Sequence, residues 1–161
     1  MKHADVVIRE RNPTLEEYLA LADAVGWSKY VTAETAETAL AHTLFAVVAE
    51  RGGVAVGMAR IVGDGALFFY VQDVVVAPAV QGQGVGAALM TALMAWLDRS
   101  APDRAFVGLF SASGKSRFYE RFGFATASSD RPAMYQYLRM PDQGVPRGSA
   151  VLRGRHDRRR A

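Results

Sequence analysis

Apolar and polar positions alternate in short blocks along the chain, and the period of the alternation changes several times between residues 5 and 140. Residues 5–10 (DVVIRE) read as a short strand, ended by Asn12-Pro13. Thr14 and Glu17 then stand at the spacing of a capping box, where a hydroxyl and a carboxylate each satisfy a backbone N–H that the first helical turn leaves unpaired. Leu15, Leu19, Ala22 and Val25 recur at helical spacing as far as Gly26, and a second short helix is expected over Ala33–Ala41, weakened by its threonines. Residues 43–50 and 54–62 are rich in strand formers and are separated by Arg51-Gly52-Gly53, a hairpin composition. Gly63-Asp64-Gly65 turns the chain once more, into the long run 66–77. Three strands joined by two tight turns predict an antiparallel meander.

The pattern changes at Pro78. A glycine-rich loop leads into Val85–Arg99, where Leu89, Leu93, Trp96 and Leu97 mark one helix face. A strand over 105–110, a short helix over 115–121 closed by Gly123, and a last strand over Met134–Leu138 complete the series. The expected fold class is mixed α/β: an N-terminal antiparallel meander followed by βαβαβ around a central mixed sheet. Residues 1–141 are expected to form one domain and residues 142–161 a flexible, Arg-rich tail.

Composition narrows the function classes. Of 161 residues, 50% are apolar and 22% are charged, the balance of a globule with a real core. There is no cysteine, which excludes disulfides, thiolate metal sites and a cysteine nucleophile within this sequence. No apolar run reaches the ~20 residues of a membrane span, and the first ten residues lack the apolar core of a signal peptide, so a cytoplasmic protein with no membrane partner is expected. The net charge of +3 is a property of the end of the chain, because residues 151–161 hold five arginines and one aspartate. Residues 1–150 keep 14 basic against 15 acidic groups. Nucleic-acid binding is therefore not expected, beyond a weak contact through the tail. His3 and His42 form no pair at metal-ligand spacing, and no metal is expected.

The chemistry concentrates in Gln81-Gly82-Gln83-Gly84-Val85-Gly86-Ala87, placed between a strand and a helix start. Glycines let successive N–H groups turn to one point, and a helix N-terminus adds positive potential, so the loop reads as a phosphate cradle. Gly82-x-Gly84-x-x-Ala87 formally matches a dinucleotide fingerprint, but no acidic residue ends the following strand and a meander precedes the loop. A second glycine run, Gly108 to Ser116, would need glycine at Leu109 to form a nucleoside-triphosphate loop.

The segment Val74-Val75-Val76-Ala77-Pro78-Ala79-Val80-Gln81-Gly82-Gln83-Gly84-Val85-Gly86 resembles the acetyl-CoA signature of the GNAT acetyltransferases. Phe118-Tyr119-Glu120-Arg121-Phe122-Gly123-Phe124 matches that family's F-Y-x-x-x-G-F element at the expected distance. The resemblance covers roughly residues 5–140 and is nearest to small bacterial and chloroplast-type amine acetyltransferases. It implies that backbone groups of Val74, Val75 and Val76 hold the pantetheine and the acetyl oxygen. The segment Gln81, Gly82, Gln83, Gly84, Val85, Gly86 and Ala87 would receive the pyrophosphate on its amides, and Phe118 would pack against the cofactor. Tyr119 matches the tyrosine that many members use as general acid. Some members carry an asparagine about seven residues before that tyrosine, where this chain has Ala112, which leaves Ser111, Ser113 and Lys115 as the side chains available there.

Two further readings follow, the first from the residues and the second, the place of the acceptor pocket, by analogy with the family that the chain resembles. Asp73 lies in the otherwise apolar run FFYVQDVVV, where a carboxylate is costly unless paired, hydrated or facing a cleft. It is the candidate base or anchor for the substrate cation, against a structural aspartate bonded to a nearby loop. Trp27, Tyr30, Phe69 and Tyr135 are the candidates to line the acceptor pocket, with Lys29 beside them; aromatic lining suits a cation. The expected function is direct transfer of acetyl from acetyl-CoA to a primary amine, most simply a small molecule, in a ternary complex. The alternatives are a CoA-dependent binding or sensor protein with little catalysis, and a ribosome- or RNA-associated protein acetyltransferase steered by the tail. Family members often dimerise, and a homodimer is left open.

Overall fold

The computed structural model of the chain describes residues 6–136 and Leu138. Thr14 caps the first helix as its spacing predicts: the Glu17 N–H donates to the Thr14 hydroxyl at 3.2 Å, and the Thr14 N–H donates to the Glu17 carboxylate at 2.8 Å. This starts α1 (Leu15–Ala24) directly after β1 (Val6–Glu10). At the start of α2 (Ala33–Ala41) Thr35 helps rather than hinders, because it and Thr32 form a second reciprocal cap at 3.0 and 3.2 Å.

The meander follows as β2 (Phe45–Arg51), β3 (Val54–Gly63) and β4 (Phe68–Val76). Asp64 builds the second turn, its Oδ1 accepting from the N–H groups of Ala66, Leu67 and Phe68 at 2.8–3.0 Å. After a short 3-10 turn over Pro78–Val80, α3 runs from Val85 to Ser100. β5 (Phe106–Gly108) and α4 (Ser116–Glu120) complete the described elements. The sheet has the order β1-β2-β3-β4-β5, antiparallel throughout except for the parallel pair β4–β5. This is the mixed α/β class expected from the sequence.

The expected strand over Met134–Leu138 is corrected. Residues 134–136 are irregular, and none of the described strands pairs with them. They follow Ser128-Ser129-Asp130-Arg131-Pro132, where the Arg131 N–H closes a turn on the Ser128 carbonyl at 3.1 Å. Alternation makes a strand only where a neighbour supplies the ladder. Contacts divide the chain after Thr126, and the part beyond holds neither helix nor strand among its described residues. The Arg-rich end lies outside the described residues.

Within the first unit, the sheet is covered on both faces. Val47, Ile61, Phe69 and Val71 meet Leu89, Met90 and Leu93 of α3 on one side. Met58 and Val75 meet Tyr18, Leu21, Ala36 and Leu40 of α1 and α2 on the other. Strand β4 changes parity between these contacts. Met58 pairs with Val75 and Arg60 with Gln72, so Asp73 and Val74 together oppose Ala59, a β-bulge. Asp73 has φ +53°, a left-handed conformation that aspartate adopts more readily than β-branched neighbours would. The extra residue puts Val75 on the α1–α2 side and leaves Val74 and Val76 on the α3 side.

Candidate active site

β4 and β5 pair only over Phe68–Tyr70, opposite Phe106–Gly108. Beyond Tyr70 no described strand pairs with that edge of β4, and a cleft of about 460 Å³ opens there. Val74 and Val76 of β4 form one wall, the loop Gln81–Gly84 and the start of α3 a second, and Lys115, Phe118, Tyr119 and Arg121 a third.

Glycine geometry shapes the second wall. Gly82 and Gly84 have φ of +75° and +85°, which side-chain-bearing residues rarely adopt. Gly84 is also the N-cap of α3, and no side chain caps it. A 16-residue helix thus presents N–H groups to the cleft without an internal acceptor. Its dipole and the cations of Lys115 and Arg121 make this end of the cleft attractive to an anion. The donor set fits a pyrophosphate ester, and the unpaired β4 edge fits an amide-bearing chain laid beside it. Gln81 reaches back from the loop and donates to the Val76 carbonyl at 2.9 Å, fixing the loop to the end of β4.

Tyr119 lies half-buried on α4, its ring edge-on to Phe118 at 5.0 Å and to Phe124 at 6.3 Å. Burial raises its phenol pKa above the usual tyrosine value, so the group stays protonated well past neutrality. Phe118 packs against the glycine end, 3.5 Å from where a Cβ on Gly86 would stand, and Arg121 stacks over the Phe118 ring at 5.1 Å.

Of the residues singled out from the sequence, the cleft gathers Val74, Val76, Gln81, Gly82, Gly84, Gly86, Ala87, Phe118 and Tyr119. Val75 turns its side chain to the opposite face. Val85 is buried in the core, and Gln83 points away, its Oε1 accepting from Arg51 at 2.7 Å. Phe69 is corrected as an acceptor-pocket residue: it is 2% exposed, edge-on to Trp96 at 6.2 Å, because its position in β4 faces α3. Trp27 packs against the α1–α2 core, whereas Tyr30 is exposed with the Lys29 ammonium 4.9 Å from its ring centre. Tyr135 belongs to the segment beyond Thr126 and is exposed there.

Asp73 is not among the residues lining the cleft. Its Oδ2 accepts from Arg60 Nε at 2.8 Å and from the Tyr18 hydroxyl at 3.0 Å, and its Oδ1 accepts from Gln72 at 3.0 Å. Burial and the neighbouring carboxylate push the Tyr18 phenol up to about 12. Sequence reasoning missed Arg60 and Tyr18. An arginine inside the apolar run VAVGMARIV carried the same signal that drew attention to Asp73.

A family profile described as the acetyltransferase (GNAT) domain matches residues 15–134. The histone acetyltransferase TAP1 of Glycine max is 30% identical over 128 residues, covering 73% of this chain and 54% of that protein. The chain thus spans about half the length of this curated relative. Among solved structures, a probable acetyltransferase of meticillin-resistant Staphylococcus aureus superposes with a TM-score of 0.77 at 30% identity, covering 83% of this chain and 100% of that one. A GNAT-family acetyltransferase of Streptococcus pneumoniae gives 0.69 at 34% identity, with 84% and 100% covered.

Proposed function

Because this chain belongs to the GNAT acetyltransferase family, we propose that its cleft binds acetyl-CoA and passes the acetyl group to a primary amine. The observation that carries this reading is the meeting in one cleft of a strand edge that no described strand pairs, an uncapped helix N-terminus and a half-buried phenol.

Bound acetyl-CoA supplies a thioester carbonyl open to nucleophiles. The N–H groups of Gly82 to Ala87 and the cations of Lys115 and Arg121 hold its phosphates. The main chain of Val74–Val76 aligns the pantetheine and donates to the carbonyl oxygen as negative charge builds there. Such donors need no reorganisation during the reaction. The amine, as its free base, forms the new C–N bond directly, and the C–S bond breaks. Tyr119 delivers its proton to the departing sulfur and recovers one from the amine nitrogen through solvent. No cysteine is available for an acyl-enzyme intermediate, which favours direct attack. Burial raises the Tyr119 pKa and keeps it competent as an acid across the neutral range, so the alkaline limb of kcat/KM, which reports the free enzyme, should lie above the ordinary tyrosine value of about 10.

The acceptor side falls, by the family resemblance, near the loop joining α1 and α2. Tyr30 is the exposed aromatic there and suits an alkylammonium or arylalkylamine. The lysine side chain of a protein is a primary amine of the same class, as the name of the soybean relative illustrates.

Calorimetric titration with acetyl-CoA, followed by thiol release across a panel of amines, tests the reading. Binding and turnover are expected, with Tyr119→Phe lowering kcat by ~10²-fold and leaving acetyl-CoA affinity unchanged. Equal turnover by Tyr119→Phe removes the acid assignment, and absence of binding by the native chain removes the whole reading. A second reading, a CoA-binding protein with little catalysis, is favoured by one observation: no carboxylate or imidazole is among the described lining residues. Tight binding without thiol release from any amine would select it.

A further inference from the structure

We propose that Tyr18, Arg60 and Asp73 form a positioning network that holds the β4 bulge in register, so that Val74–Val76 present the correct edge and side chains to the cleft. The inference rests on the reading of that cleft as the acetyl-CoA site.

Asp73 occupies the left-handed conformation at the bulge, and a non-glycine residue remains there only where its surroundings hold it. Its carboxylate is gripped from three directions, by Arg60 on the next strand, by Tyr18 on α1 and by adjacent Gln72. Arg60 passes the grip onward: Nη1 donates to the Ala39 carbonyl on α2 at 2.9 Å and to the Thr43 hydroxyl at 2.6 Å, and the guanidinium lies 5.5 Å from the Tyr18 ring centre. One buried ion pair thereby ties both N-terminal helices, the α2–β2 connection and β3 to one residue of β4.

The bulge decides what the cleft contains. Side chains of a strand alternate, so removing the extra residue from the pairing would exchange the faces of Val74, Val75 and Val76. A bulge also bends its strand, and here the bend follows the last β4–β5 pair at Tyr70–Gly108. Gripping Asp73 therefore fixes both the opening beside β4 and the residues that face it. A buried ion pair is a poor choice for stability alone, because packed apolar groups of similar volume do as well or better. It is a good choice where one register must be specified.

The test compares acetyl-CoA affinity, kcat, the pH profile of kcat/KM and thermal stability in the native chain, Tyr18→Phe, Asp73→Asn and Asp73→Ala. Tyr18→Phe deletes a single hydroxyl and keeps the ring against Arg60. It is expected to weaken acetyl-CoA binding ~5-fold, the scale of one lost hydrogen bond. Its kcat should fall ~10-fold from misplacement, with both pH limbs where the native enzyme has them. Asp73→Asn keeps an acceptor oxygen and tolerates the left-handed backbone but leaves the Arg60 charge unpaired, so its effect should fall between those of Tyr18→Phe and Asp73→Ala, the last losing ~100-fold in kcat. If Asp73→Ala fails to fold, the first two variants carry the test. Native affinity and kcat in both would overturn the proposal. So would loss of the acidic limb in Asp73→Asn at unchanged affinity, since the carboxylate would then be taking a substrate proton. Failure of the native chain to bind acetyl-CoA would instead overturn the cleft reading, and this inference with it.

Discussion

On the α3 side of the sheet, Val47, Ile61, Phe69, Leu89 and Leu93 close a core in which every buried member is apolar. The α1–α2 side buries Leu21, Met58 and Val75 in the same way, yet it also takes two charged groups out of water, Arg60 at 4% and Asp73 at 6% exposure. The difference is one of failure mode. An apolar core loses stability in proportion to the methylenes removed and the cavity left behind. An ion pair loses little when both partners go and a great deal when one does. The cleft opens on the side of α3, where recognition falls to main-chain groups and a helix end, while the side that holds the charges fixes the strand those groups belong to.

The sharpest way to break this contrast is Asp73→Ala, which leaves the Arg60 guanidinium buried beside Tyr18 with its charge unpaired. A loss of about 3–5 kcal/mol in urea unfolding is expected. Adding Asp73→Asn to Arg60→Met should recover at least half of what Arg60→Met alone loses, because the uncompensated carboxylate is gone. A double variant as unstable as the sum of the singles would show that the pair behaves like ordinary packing. On the opposite face Leu89, fully buried against the sheet, should cost about 3 kcal/mol as Leu89→Ala, and no second truncation should restore it. Ile61→Val removes one methylene from the same core and should cost about 1 kcal/mol.

The same contrast explains what could be read along the chain. The Thr14–Glu17 cap, the glycine loop and the α3 stripe of Leu89 and Leu93 were legible because each is decided by residues within one turn or one helix of each other. Asp73 stood out for the right physical reason, a carboxylate in an apolar strand, but its partner lies 13 residues away on β3. Which face either residue takes depends on a bulge set by pairing between strands. Parity read along the sequence carries no mark of that extra residue, so Phe69 and Asp73 could not be assigned to faces. Met134–Leu138 failed differently, since its alternation was local but the neighbour that would make it a strand was not.

A last measurement separates the two faces by titration. Tyr18, against the charged cluster, is pushed up to about 12, chiefly by burial and next by the Asp73 carboxylate, while Tyr119 at the cleft is raised by burial alone. A phenol whose pKa is higher folded than unfolded binds its proton longer in the native state. Its contribution is therefore complete below the unfolded value of about 10 and is lost as pH climbs through the folded value. Native stability should thus be insensitive to this group at neutral pH and decline between about 10 and about 12. Tyr18→Phe, lower in stability at pH 8 by the lost hydrogen bond, should show a shallower decline over that interval, so the two unfolding curves converge. Parallel curves would place the alkaline transition on other groups and would mean that the Tyr18 hydroxyl is not buried against the charged cluster in solution.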